Sequence, residues 1–225
     1  MTNAQLTAAD AELRDRVAQQ LEWDSQFDAS AIGVAAKSGA VTLTGSIDTY
    51  AGKLAAERAV KRVRGVRAVA NDVEVRLRFE RTDADIAADA ARALNLRASL
   101  PEGVQAVVHY GHITLTGTVP TLFKRAVAEK AVHHIQGLKG IVNRITVTPS
   151  ASSTDPAAGI VGALHRETDV NVDEIEVTSS GDTAVLKGTV RSWREREAAE
   201  RAAMHSPHIS HVVNLLVVGQ ENEVG

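Results

Sequence analysis

The chain has 225 residues, 44% of them apolar and 24% charged, with no cysteine and a formal net charge of −3. That composition is globular rather than fibrous or disordered, and no run approaches the ~18 apolar residues of a membrane span. Without cysteine there are no disulfides, cysteine-ligated zinc sites, iron–sulfur clusters or thiol nucleophiles.

The charge is unevenly spread. Residues 1–80 carry 11 acidic and 11 basic side chains, residues 81–150 carry 5 and 8, and residues 151–225 carry 12 and 6, for nets of 0, +3 and −6. A basic middle and an acidic end could order a head-to-tail assembly or orient the protein at an anionic surface. The first ten residues have neither a basic nor an apolar signal region. The expected location is cytoplasmic as written, and periplasmic if a signal segment has been removed.

In chain order, Leu13, Val17 and Leu21 fall at i, i+4 and i+8, which predicts a helix from Asp10 with Asp10 as its N-cap. Trp23 and Phe27 are expected to anchor the core. Ile32, Val34 and Ala36 alternate as a strand, Ser38-Gly39 reads as a tight hairpin turn, and 40–47 is the returning strand. A helix from about Thr49 to Arg64 follows, capped by Asp48 or Thr49. Gly65 is read as its left-handed C-terminal glycine. Val66, Val69, Val73, Val75 and Leu77 supply a closing strand around Asn71. The order is αββαβ.

The order then recurs. A helix is expected over Asp83–Leu96, strands over Val104–Val108 and His112–Val119, a helix from Thr121 closed by Gly137, and a last strand through Ile141, Ile145 and Val147. After a Pro/Ser-rich linker a third, divergent copy has a short helix near Ala157–Glu167, strands at Glu174–Thr178 and Thr183–Val190, a helix Trp193–His205 and a strand through Val212–Val217. Two landmarks keep the period. Gly45, Gly117 and Gly188 are 72 and 71 residues apart, and so are Asn71, Asn143 and Asn214. A fixed period of this kind marks a tandem repeat. The expected domains are 1–80, 81–150 and 151–225, each a small three-stranded mixed sheet packed against two helices, an α+β fold. Val41, Leu43, Ile113 and Leu115 should face the core, and Thr42, Thr44, Thr114 and Thr116 the solvent.

Residues 39–45 read Gly-Ala-Val-Thr-Leu-Thr-Gly and residues 111–117 Gly-His-Ile-Thr-Leu-Thr-Gly. Each is followed by an Ala-rich helix and then a Gly-(Val/Leu)-x-x-(Val/Ile)-x-Asn segment. This compound pattern resembles the BON domain family. The family's strand glycine is matched by Gly45, Gly117 and Gly188, its asparagine by Asn71, Asn143 and Asn214, and its post-helix glycine by Gly65 and Gly137, with His208 in the third copy. The resemblance implies tandem αββαβ domains, often periplasmic, that bind phospholipid membranes or another envelope component. It implies no catalytic residues and no cofactor.

The residues themselves agree on chemistry. Among the histidines, His205, His208 and His211 are spaced at three, but Pro207 interrupts any helix that would align them. Glu195, Glu197 and Glu200 intermix with arginines and read as a solvated, ion-paired face. No nucleophile–base order, zinc-protease helix, P-loop or dinucleotide fingerprint occurs. The chain is therefore read as a non-enzyme without a metal or cofactor.

Two candidate surfaces remain. Lys61, Arg62, Arg64 and Arg67 form a basic cluster at the end of the first crossover helix. Tyr50, Leu122 with Phe123, and Trp193 each begin a crossover helix, with Lys53, Lys124, Arg125 and other basic residues nearby. Aromatic bodies beside cations suit a lipid interface. The first reading is a non-catalytic module that associates weakly with anionic phospholipid or envelope components. The alternative is a cytoplasmic, stress-related structural or protein-interaction scaffold, with self-association possible. Overall acidity argues against a nucleic-acid partner.

Overall fold

The computed structural model describes residues 3–77, 81–97, 100–101, 103–149, 156–166 and 174–219. The chain divides into two compact units. One is Met1–Ile86 with His109–His112 and His133–Gly140, and the other is Ala87–Val108, Ile113–Val132 and Ile141–Gly225.

The first repeat opens with helix α1 (Asn3–Trp23), followed by strands β1 (Ile32–Lys37) and β2 (Ala40–Ile47), helix α2 (Tyr50–Lys61), and the short strands β3 (Ala68–Asn71) and β4 (Glu74–Val75). β1 and β2 are antiparallel with Lys37 opposite Ala40, so Ser38-Gly39 is a two-residue turn. Both residues have positive φ, 52° and 83°, as a hairpin turn that matches the strand twist requires. β3 and β4 run parallel to β2. Leu13, Val17 and Leu21 of α1 and Ala56, Ala59 and Val60 of α2 close over Val41 and Leu43, while Thr44 on the opposite face is exposed. Alternation along β2 thus places one row in the core and the next toward water.

The second repeat contains α3 (Asp83–Asn95), β5 (Gln105–His109), β6 (His112–Thr116), β7 (Thr118–Val119), α4 (Leu122–Val132), β8 (Gly140–Asn143) and β9 (Thr146–Val147). The third contains α5 (Pro156–Leu164), β10 (Ile175–Ser180), β11 (Thr183–Val190), α6 (Trp193–Met204) and β12 (His211–Val218). Strand orders are β1-β2-β3, β5-β6-β8 and β10-β11-β12, with the two antiparallel strands first and a parallel one last. One register governs all three crossovers. Ala40 faces Ala68, Thr118 faces Thr146 and Thr183 faces His211, each a separation of 28 residues.

Several expectations need correction. α1 starts at Asn3, so Asp10 lies inside the helix and is not its N-cap; its carboxylate is used across the fold, as described below. Trp23 is 86% exposed and anchors no core, because α1 ends with that residue on its outer side, whereas Phe27 packs against the core. α2 ends at Lys61 and α4 at Val132 rather than running to the following glycines. After α2 the amides of Arg62 and Val63 turn back to the carbonyls three residues earlier, which tightens the chain before Gly65 is reached. Gly65 and Gly137 still adopt the left-handed region, at φ 94° and 92°, in the loops after the helices. The third repeat, the divergent copy, has the longest uninterrupted closing strand, eight residues in β12.

Candidate functional site

Every repeat contains the same polar strut between its crossover helix and its closing strand. Asn71 Nδ2 donates to the Lys53 carbonyl and to Glu57 Oε2, and Asn71 Oδ1 accepts from the Val73 amide. Asn143 Nδ2 donates to the Arg125 carbonyl at 3.3 Å and to Glu129 Oε2 at 2.9 Å, and its Oδ1 accepts from the Ile145 amide. Asn214 Nδ2 donates to Glu200 Oε2 at 2.9 Å, and its Oδ1 accepts from the Leu216 amide. An arginine completes two of the struts. Arg125 donates to the Asn143 carbonyl, and Arg196 to the carbonyls of Asn214 and Leu216.

The strut has a clear job. The closing strand is an edge of its sheet, and edge strands present unpaired amides and carbonyls. Here the asparagine side chain takes the amide two residues on, and the arginine takes the carbonyls. Sequence reading found the asparagines but missed Glu57, Glu129 and Glu200. Their spacing, 72 and 71 residues, was the signal that could have revealed them.

Asn71 acts on Glu57 electrostatically. Burial, the largest influence, works to raise the Glu57 carboxyl, but the Lys61 ammonium, the Asn71 amide and Lys53 together hold it below its ordinary value. Lys61 Nζ lies 2.9 Å from Glu57 Oε1.

A second recurrent device fixes the hairpin turns. Asp10 Oδ1 accepts from the Ser38 amide at 2.7 Å. Asp83 accepts from both Tyr110 and Gly111 amides at 2.8 Å, and the Gly111 bond chiefly draws its carboxyl below the ordinary range. The strand glycines form a third device. Gly45, Gly117 and Gly188 have φ of 108°, 127° and 127°, and a Cβ at each would lie 1.9 to 2.3 Å from the carbonyl oxygen of Ala31, Gly103 or Glu174.

The rim residues each meet different surroundings within their own unit. Tyr50 is half-buried, edge-on to His133 at 6.0 Å. Leu122 is buried in the same cluster as Ile160, Leu164 and Leu186. Phe123, 44% exposed, lies against the His205 ring at 4.4 Å. Trp193 is half-buried with the Arg196 guanidinium 5.4 Å over its ring. Arg125 is held by the strut, and Lys53 and Lys124 are half-buried on their helices.

The basic cluster divides in the same way. Lys61 pairs with Glu57, and Arg62 pairs with Asp24 at 2.7 Å. Arg64 and Arg67 stay exposed. The Arg67 amide bonds the Gly39 carbonyl at 2.8 Å, which brings it beside the turn that follows exposed Lys37. Lys37, Arg64 and Arg67 have no ion pair among the described residues. The matching positions hold His109, Gln136 and Lys139 in the second repeat, and Ser180, Pro207 and Ser210 in the third.

The acidic face of α6 is not simply solvated, which corrects the reading of Glu195 and Glu200. Glu195 is 4% exposed and accepts from the Arg191 amide, because Ser192 caps the helix and draws the chain back over it. Glu200 belongs to the strut.

Ser210, His211 and Asp182 come together, but not as a nucleophilic triad. The Ser210 hydroxyl donates to Asp182, and the same oxygen lies 2.6 Å from His211 Nδ1, so the aspartate does not orient the imidazole. Among the described residues no group of three or more His, Asp or Glu side chains is placed to hold a metal. In the first unit a cleft of about 860 Å³ is lined by residues that include Phe27, Ile47, Thr49, Arg58 and His134. No described helix is long and apolar enough to cross a membrane.

The fold, the common register and the repeated struts define a tandem array of αββαβ modules. The chain belongs to the BON domain family, whose model matches residues 9–76, 82–149 and 154–220. No curated protein matches the chain. Among solved structures it is similar to CdsD, a structural protein of the type III secretion system of Chlamydia trachomatis, at 17% identity over 94% of both chains, with a TM-score of 0.27. A structure of the CdsD C-terminal domain matches at 16% identity over 92% of this chain and 98% of that one, with a TM-score of 0.26.

Proposed function

We propose that this protein is a non-catalytic binding module whose first repeat associates weakly and reversibly with anionic phospholipid. One observation carries the reading: Lys37 flanks the glycine turn of the first repeat, the Arg67 side chain lies against Gly39, exposed Arg64 precedes Gly65 whose carbonyl meets the same turn, and none of the three has an ion pair among the described residues. Folding commits Lys61 and Arg62 to carboxylates and leaves these three for an external anion. Each basic residue near an anionic membrane contributes about 1 kcal/mol, so the set supplies about 3 kcal/mol. That gives reversible association, and salt weakens it because screening falls to ~8 Å at physiological ionic strength. Asp10 lies at the same turn, but its carboxylate is engaged by the Ser38 amide.

Vesicle flotation tests this. The full chain should float with anionic vesicles at low salt, lose most of that recovery at high salt, and lose it at low salt when Lys37, Arg64 and Arg67 are all changed to glutamate. Equal recovery on neutral vesicles, or an unaffected triple variant, removes the reading.

A second reading, a protein-interaction scaffold, is favoured by a separate observation: the exposed apolar row on the closing strand of the third repeat.

A further inference from the structure

The three repeats serve as controls for one another along the closing strand. At the outward positions the first repeat places Ala70, Asp72 and Glu74, and the second Val142, Arg144 and Thr146. The third places Val213, Leu215 and Val217, which are 41%, 52% and 63% exposed. The first of these positions is apolar in every copy, but the second and third are polar in two copies and apolar in the third repeat alone, which completes an unbroken apolar row there. β12 is also continuous where the other two closing strands are interrupted.

We infer that this outer face of the third repeat's sheet is where two copies of the chain meet. Direct edge-to-edge pairing of β12 is hindered, because Arg196 covers the carbonyls of Asn214 and Leu216 and the Asn214 side chain occupies the Leu216 amide. The flat face is what remains available. Beside the apolar row, Glu176 on β10 lies directly opposite Lys187 on β11. Both are exposed, and neither has an ion pair among the described residues.

A patch with one free carboxylate and one free ammonium is self-complementary. Under twofold symmetry Glu176 of each copy can meet Lys187 of the other while the apolar rows pack. The charges distinguish this occupant from a membrane. Residues 151–225 carry 12 acidic against 6 basic side chains, an excess that an anionic bilayer meets with no compensating pair, whereas a second copy offsets its own repulsion with two Glu176–Lys187 contacts.

The area sets the strength. Three strands about 4.8 Å apart, one of six residues and two of eight at about 3.3 Å each, cover at most roughly 14 Å by 26 Å, well below the ~800 Å² per partner of a standard interface. At that size the dimer is weak and transient. This inference uses a different surface from the phospholipid proposal, so either can fail alone.

Sedimentation of the full chain from about 5 to 500 µM tests it. The mass should rise from 23.9 kDa toward twice that value. The double variant Leu215→Arg, Val217→Thr installs the residues that the second repeat carries at Arg144 and Thr146, so the fold accommodates them. Its dissociation constant should rise at least tenfold. Glu176→Lys should weaken the dimer, and adding Lys187→Glu should restore it. A wild-type mass that stays constant over this range overturns the inference. So does a double variant that dimerises like the wild type, or one that loses vesicle binding while the wild type remains monomeric.

Discussion

Asn143 Nδ2 and Glu129 Oε2 lie 2.9 Å apart, joining the closing strand of the second repeat to its crossover helix. The same amide donates to the Arg125 carbonyl, while its oxygen takes the Ile145 amide. Three bonds therefore depend on one half-buried side chain. Replacing it by alanine leaves an amide and a carboxylate short of partners, which costs about 1–3 kcal/mol. Asn143→Ala should lower the urea-unfolding free energy by that amount, and Asn143→Asp should do similar damage by facing one carboxylate with another. A double-mutant cycle with Glu129→Gln should show coupling, since the two side chains are in contact.

The first repeat makes the strut dependent on pH. Glu57 is held below its ordinary value of 4.5, against the opposing effect of burial, by Lys61, Asn71 and Lys53. A carboxyl depressed in the folded state contributes stability that is fully present above its unfolded value and is lost as pH falls through the folded one. Glu57→Gln should therefore be less stable than the wild type at pH 7. The gap between their urea midpoints should stay constant down to about pH 5 and close below the ordinary carboxylate value. A gap that widens on acidification would contradict this assignment.

Gly45 and Gly188 are the least replaceable glycines of their strands. A Cβ at either would sit 1.9 Å from a backbone carbonyl oxygen, at φ of 108° and 127°. Neither backbone can move without breaking the antiparallel register with β1 or β10. Gly188→Ala should lose about 2–3 kcal/mol in equilibrium unfolding, the sum of the strained conformation and the clash. Gly181→Ala is the control. It also has positive φ, but nothing lies within 4 Å of its Cβ position, so its loss should be smaller.

How far the sequence could be read follows from what repeats and what does not. The 72- and 71-residue spacing of glycines and asparagines made the αββαβ order and the inward faces of β2 and β6 legible, because period-2 alternation states directly which side is buried. The struts were only half legible. An asparagine before a strand announces itself, whereas Glu57 and Glu200 look like any charge on an amphipathic helix. A shared position in the repeat does not fix a side chain's surroundings. Tyr50, Leu122 and Trp193 share a position in the repeat, but each meets a different environment: an imidazole edge for Tyr50, a core cluster for Leu122 and an arginine for Trp193. Helix ends were overextended because Gly65 and Gly137 lie beyond a tight turn that no single residue type signals.

Asp10 and Asp83 carry the last prediction. Each lies on the first helix of its repeat and accepts amide hydrogens from a two-residue turn 27 or 28 positions later. That turn places a non-glycine residue, Ser38 or Tyr110, at φ 52° or 50°, a conformation that is unfavourable for a side chain as large as tyrosine. The carboxylate holds it there by charge-assisted bonds to the turn amides. Asp83→Ala should leave the strands paired but release the Tyr110 and Gly111 amides, so their hydrogen exchange should quicken by at least tenfold while amides in β6 keep most of their protection. Acidification should mimic the substitution. The Asp83 carboxyl titrates below its ordinary value of 3.8, chiefly because of the Gly111 amide. Turn protection relative to the variant should thus be full above that value and fade only as pH falls beneath it. Asp83→Asn should retain part of the protection, because its amide oxygen can still accept one of the two bonds. If the Tyr110 and Gly111 amides exchange at the same rate in the wild type and in Asp83→Ala, the clamp contributes nothing to the turn.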